Sequence, residues 1–247
     1  MKFWMKLIFA LVVVPSVFGG LVYSLHERGF FNLSSLEISV LKADEHSSFY
    51  EPLAQKIEKA LSQHKGSSLF QLDLTELKTQ ILKEPWVEQV HLTRRWPQSI
   101  QIQIQSKKIP FILIEKDRYA RPVLEDGTLL ERVPLERAPQ AVVLVGPDFR
   151  DQLELRQKAV RVLSEVPKEA GVLTQSKISE VRFDTKDGFW LTLVGGGTQV
   201  RLGHEQFALR AARVSQVLNY LQDREMNARV IDADLSKKVV VRLRKGP

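Results

Sequence analysis

From Leu7 to Leu25 the chain reads LIFALVVVPSVFGGLVYSL, 19 residues without a charge. At about 1.5 Å per residue, a helix of that run nearly covers the ~30 Å hydrocarbon layer of a bilayer. This constrains everything after it, because the rest of the chain must then fold on one side of a membrane. Each Leu, Ile, Val and Phe favours insertion by roughly 0.3–0.6 kcal/mol, which outweighs the smaller costs of Pro15, Ser16, Gly19 and Gly20. Lys2 and Lys6 stand on the short side. The positive-inside bias therefore predicts a short cytoplasmic tail over residues 1–6, a transmembrane helix over 7–25, and an exported remainder after His26. A cleaved signal peptide is the competing reading, since a Lys-flanked apolar run ending in small residues near VFGG fits that pattern as well. Both readings export the bulk of the chain.

That placement bears on the charge. A formal net charge of +7 over 247 residues would suit an anionic partner, but Lys and Arg are interleaved with Asp and Glu throughout. An exported chain also does not meet nucleic acid. There is no cysteine. A disulfide, a thiolate nucleophile and a Cys-based metal site are thereby excluded.

Past the apolar run, LEISVL at residues 36–41 alternates Leu36, Ile38 and Val40 against Glu37 and Ser39, the pattern of a half-buried strand. Two helical patterns follow. The first places Leu53, Ile57, Ala60 and Leu61 on one face, with Pro52 suited to its first turn and Gly66 closing it. The second starts at Asp73, a good N-cap with Glu76 three residues on, buries Leu74, Leu77 and Ile81, and is stopped by Pro85. Two strands come next, with Val90 and Leu92 inward on one and Ile100, Ile102 and Ile104 inward on the other. Gln101, Gln103 and Gln105 face away, and Pro97, Gln98 and Ser99 make the turn. The order strand, helix, helix, strand, strand predicts a three-stranded sheet with two helices on its apolar face, closed at its ends by Trp86 and Trp96.

From residue 109 onwards the pattern changes. FILIEK and AVVLVG read as buried strands, and Asp126-Gly127 marks a hairpin turn. A helix is expected over 151–166, then three strands in ISEVRFD, GFWLTLVGG and TQVRLGHE. A second helix, 205–221, places Phe207, Ala211, Val214, Leu218 and Leu221 on one face and Arg210, Arg213 and Gln216 on the other. ARVID and KKVVVRLRK close the chain as strands. This is a mainly antiparallel β-domain with packed helices, so the fold class is α+β.

Catalytic patterns are wanting. His26, His46, His64, His91 and His204 have no metal-ligand spacing. VGGGT at 194–198 superficially resembles a phosphate loop, but it joins two strands where such loops lead into a helix. Asp232 and Asp234 share a face with no partner acid or base in view. No enzyme, metal, cofactor or small-molecule substrate is expected. An extracytoplasmic enzyme would require a buried cluster of perturbed ionisable groups. Recognition by surfaces remains, and a sheet edge can accept an extended peptide as a further strand. Val239–Val241 is a candidate edge, flanked by Lys237, Lys238, Arg242 and Arg244; those charges equally suit an edge guarded against aggregation.

Several words of the sequence are similar to the FtsQ/DivIB family of bacterial cell-division proteins. They are GSSLFQLDL (66–74), EPWVEQVHLTRRWPQSIQIQI (84–104), LEDGTLL (124–130), VRLG (200–203) and IDADLSKKVVVRL (231–243). The P-W-V and R-x-W-P-x-x-I pattern resembles the family's POTRA domains in particular. The resemblance implies a bitopic protein of the cell inner membrane, enriched at the division septum, with a POTRA domain over 33–108 and a C-terminal β-domain over 109–247. It implies a divisome scaffold that holds FtsB/FtsL-type partners by strand addition at the last strand. Carried onto this chain, that contact falls on Lys238, Val239, Val240, Val241, Arg242 and Leu243, with Arg210 and Arg213 as partners for acidic groups. Asp234 stands about where many relatives carry a basic residue. An alternative is a POTRA protein assisting polypeptide transport or outer-membrane assembly, although neither tandem repeats nor lipid-facing barrel strands are seen.

Overall fold

The computed structural model describes residues 2–41, 47–236 and 238–244; for residues 2–12, 18, 47 and 48 it describes the backbone alone. His46 and Lys237 lie outside the described residues. The chain divides into two compact units, residues 1–106 and 107–247.

Helix α1, Lys2–Glu27, opens the first unit and carries Pro15 within it. Its 26 residues correspond to about 39 Å of helix. Among the described residues no helix is long and apolar enough to cross a membrane, and the expected span takes in residues 7–12 and 18, whose side chains lie outside the description.

The rest of this unit follows the expected order: β1 Ser35–Leu41, α2 Ser47–Leu61, α3 Leu74–Ile81, β2 Val87–Arg95 and β3 Ser99–Ser106. Strand β3 is central, parallel to β1 and antiparallel to β2. Its alternation explains the layer: Ile100, Ile102 and Ile104 are fully buried, as are Ile57 and Leu61 of α2 and Leu77 and Ile81 of α3. Asp73 caps α3, its carboxylate accepting the backbone N–H groups of Thr75 at 2.7 Å and Glu76 at 3.4 Å. The helix ends at Ile81, four residues before Pro85. Trp86 is buried as expected, but Trp96 is 51% exposed. The correction has a local cause: Trp96 stands in the β2–β3 turn, where it packs against Phe31 and the exposed Phe70.

The second unit holds β4 Phe111–Ile114, β5 Tyr119–Val123, β6 Val133–Pro134, β7 Val142–Val145, α4 Asp148–Asp151, α5 Leu153–Ser164, β8 Ile178–Asp184, β9 Gly188–Leu193, β10 Gln199–Gly203, α6 Phe207–Asp223, β11 Ala228–Asp232 and β12 Val240–Leu243. The strands form one nine-stranded sheet in the order β12-β11-β10-β9-β8-β7-β4-β5-β6. Most neighbours are antiparallel, but β4–β7, β7–β8 and β10–β11 are parallel. Parallel joints need crossovers, and here α4–α5 connect β7 to β8 while α6 connects β10 to β11. Both long helices pack into one core: Leu155, Ala159 and Val162 from α5, and Ala211, Val214 and Leu221 from α6, join Phe111, Val181, Leu191, Val200 and Ile231 of the strands. The helix expected over 151–166 is two helices broken at Gln152. The VGGGT segment is the β9–β10 turn, with Gly195 and Gly197 at positive φ.

Candidate protein-binding edge

Strand β12 ends the sheet. Its inner side pairs with β11, Asp232 opposite Val240, Ile231 opposite Val241 and Val230 opposite Arg242, and no other strand neighbours it among the described residues. The phase of the ladder follows from one bond: Arg244 N–H donates to Asn227 O at 2.8 Å. Backbone groups alternate sides along a strand, so Arg242 and Val240 turn their N–H and C=O inward to β11. Val241 and Leu243 turn theirs outward.

Side chains alternate as well. Val239 and Val241 pack against the core, whereas Val240, Arg242 and Leu243 are exposed, as is Lys238. The strand is therefore nailed down by two valines while presenting two unpaired peptide units and a valine, leucine and arginine surface.

The segment entering β12 is held by α6. Arg213 Nη1 donates to Ser236 O at 3.0 Å and lies 3.5 Å from Leu235 O. Arg210, which sequence periodicity places on the outer face of α6, is turned inward: its side chain is only 13% exposed, donates to Leu202 O and pairs with Asp234 at 2.6 Å. Asp234 also meets Arg201 at 3.0 Å, and Arg201 meets Asp187 at 3.2 Å and Asp232 at 3.3 Å. The Asp232 carboxylate in turn accepts Asp234 N–H at 3.0 Å. Five side chains from the β8–β9 turn, β10, β11, its following loop and α6 thus share one ionic lattice. The two aspartates are structural ligands of arginine.

Room for that lattice comes from glycine. At Gly203, with φ +72°, a Cβ would overlap the Asp234 carboxylate and the Arg210 guanidinium; at Gly188, with φ +75°, it would overlap the Gly203 backbone. At the far side of the strand the Arg244 guanidinium donates to Gly196 O in the β9–β10 turn. Sequence reading missed the Arg201 centre of this network, and the only signal for it was the density of Asp and Gly around β10 and β11. It also missed Arg156, a buried guanidinium that donates to Gly127 O at 2.6 Å, Phe149 O at 2.8 Å and Arg150 O at 3.0 Å. Burial lowers the Arg156 pKa. Among the described residues no group of three or more His, Asp or Glu could hold a metal ion.

Comparison with known proteins gives the lineage of this architecture. Residues 53–106 match the POTRA domain, FtsQ-type, and residues 113–234 match the Cell division protein FtsQ/DivIB, C-terminal, so β12 lies beyond the matched stretch. The chain is 24% identical over 188 residues to the cell division protein FtsQ of Syntrophotalea carbinolica, covering 73% of this chain and 66% of that protein. To the FtsQ of Geotalea daltonii it is 25% identical over 221 residues, covering 86% and 76%. To that of Coxiella burnetii it is 25% identical over 206 residues, covering 82% and 76%. With both domain types matched in order, and such relatives aligned across the boundary between them, the chain belongs to the FtsQ/DivIB family of cell-division proteins.

Proposed function

We propose that this protein is a non-enzymatic scaffold of the bacterial division machinery. Helix α1 anchors it in the inner membrane, the N-terminus is cytoplasmic and both folded units are extracytoplasmic. Strand β12 takes up an extended segment of another envelope division protein, of the FtsB/FtsL type, as a tenth strand of the sheet. The observation that carries this reading is the state of β12: its inner side is paired to β11, and among the described residues its outer side has no strand partner. Main-chain bonds from Val241 and Leu243 would supply affinity, and the exposed Val240 and Arg242 would select side chains. Lys238 and Arg242 favour a segment bearing acidic residues. Arg213 lies beside the same loop, and Arg210 contributes by holding Asp234 and hence the approach to β12.

The experiment is a pull-down from membranes with the full chain and with a chain ending after Ser236, alongside imaging of a fluorescent fusion. A midcell ring and loss of FtsB/FtsL-type partners on truncation are expected. Equal partner recovery by the truncated chain would remove strand addition at β12; uniform envelope staining would remove the division role.

A further inference from the structure

The first unit carries a second exposed feature, an aromatic surface at the point where α1 ends. Phe30, Phe70 and Trp96 are 42%, 55% and 51% exposed, yet they do not sit on loose tips. The ring centroids of Phe70 and Trp96 are 4.7 Å apart, and Phe31 packs edge-on against Phe30 and Phe70 at 5.2 Å each. The backbone fixes them. Leu33 N–H donates to Ser67 O and Leu69 N–H to Phe31 O, both at 2.9 Å, so the two segments bearing the phenylalanines are bonded together. Arg94 clamps the same loop from β2, its guanidinium donating to Leu69 O at 2.8 Å and Leu72 O at 2.7 Å.

This surface begins where the apolar run stops. Phe30 N–H donates at 3.0 Å to the carbonyl of Leu25, the last residue of that run, and the His26 ring lies 6.2 Å from Phe70. Tyr23, one helical turn earlier, is 66% exposed. Tyr and Trp concentrate at the level of lipid headgroups, where an amphipathic ring satisfies both media. The exposed Arg28 and Arg95 border the patch, with Glu27 the nearby carboxylate.

We propose that Phe30, Phe70 and Trp96 form a membrane-docking face that seats the first unit on the headgroup boundary of the bilayer crossed by α1. The inference rests on the anchor reading. Its occupant is lipid because covalent continuity with the apolar run keeps the patch within a few residues of the bilayer surface, whatever protein partners are present. Docking would fix the height of the first unit above the membrane.

Because the chain has no cysteine, single spin labels can be placed in the full protein reconstituted in phosphatidylethanolamine–phosphatidylglycerol vesicles. Val14→Cys reports the anchor and Gln71→Cys the patch. Lys83→Cys reports the far end of α3, about 12 Å of helix away at 1.5 Å per residue. Collision with oxygen against a soluble nickel chelate measures depth. The Val14 label is expected to be screened from nickel. The Gln71 label is expected to collide with nickel several-fold less than the Lys83 label, and to match it once Phe70→Ser and Trp96→Ser are added. If the Val14 label is aqueous, the anchor reading fails and the docking face with it. If the Val14 label is buried while Gln71 behaves like Lys83, docking alone is overturned. Protection at Gln71 that survives both serine substitutions overturns it too.

Discussion

Proline at Leu243 and proline at Arg242 should have opposite consequences, although the positions are adjacent. Leu243 directs its N–H away from the sheet and is 50% exposed, so Leu243→Pro removes no bond within the protein. Stability should stay within about 0.5 kcal/mol of the parent. An added partner strand, however, would lose one main-chain bond, a net of about 0.5–1.5 kcal/mol, or roughly two- to twelvefold in Kd. Adding Val241→Pro, the other outward position, should bring the loss to about 1–3 kcal/mol. Arg242 directs its N–H to Val230, so Arg242→Pro removes an internal ladder bond. That costs about 1–3 kcal/mol of folding stability, and at roughly 2–4 °C per kcal/mol a fall of several degrees in Tm. The assay is titration of a labelled FtsB/FtsL-type segment onto the full chain in detergent, with a thermal melt of each variant. A folded Leu243→Pro, Val241→Pro double variant with unchanged Kd would refute strand addition on this edge. A Tm fall for Leu243→Pro with none for Arg242→Pro would show the ladder phase derived from Arg244 to be reversed.

Arg156→Met should destabilise the second unit by roughly 2–4 kcal/mol in urea unfolding, because it strands the buried carbonyls of Gly127 and Phe149 and takes the donor from the part-buried carbonyl of Arg150. Gly203→Ala should cost about 1–3 kcal/mol and weaken partner binding, since the Cβ displaces Asp234 from Arg210; a structure of the variant should show that pair broken. Asp73 and Asp184 have pKa values lowered from 3.8 by backbone N–H donors, Thr75 and Glu76 for the first, Asp187 and Lys186 for the second. A lowered folded pKa contributes stability that is whole above about pH 3.8 and disappears as pH falls through the lowered value. The advantage of the parent over Asp73→Ala and over Asp184→Ala should therefore be constant near neutrality and shrink in acid, as read by denaturant melts across pH.

Periodicity exposed the faces of this fold but not the partners. Ile100, Ile102 and Ile104 alternate so strictly that their burial could be read from the letters, and Asp73 and Asp126-Gly127 announced a cap and a turn by local chemistry alone. The parallel joint between β10 and β11 could not be read that way, because a strand facing a core looks the same whichever neighbour it takes. Trp96 illustrates a different limit. Its apolar character suggested closure of a core, whereas its place in the β2–β3 turn sets it among Phe31 and Phe70 at the surface. Arg210 shows the converse: helical spacing put it outside, and a carboxylate eleven residues beyond the helix drew it back in.

The topology accords with the proposed use of the last strand, one of the two borders of the sheet. Because α6 returns the chain to lay β11 parallel to β10, the remaining residues can only fold back antiparallel and become the border. Val239 and Val241 packed against the core, Arg213 on the incoming loop and Arg244 on the β9–β10 turn hold that border as a strand. A preformed template spares the complex the ordering entropy of one of its two strands. The same exposed strand would be prone to pair with a second copy of itself. Self-pairing would bring Arg242 and Lys238 of one copy against the like charges of the other, which opposes it. An acidic partner strand would meet no such penalty, so a basic guard and the proposed binding site are compatible uses of the same residues.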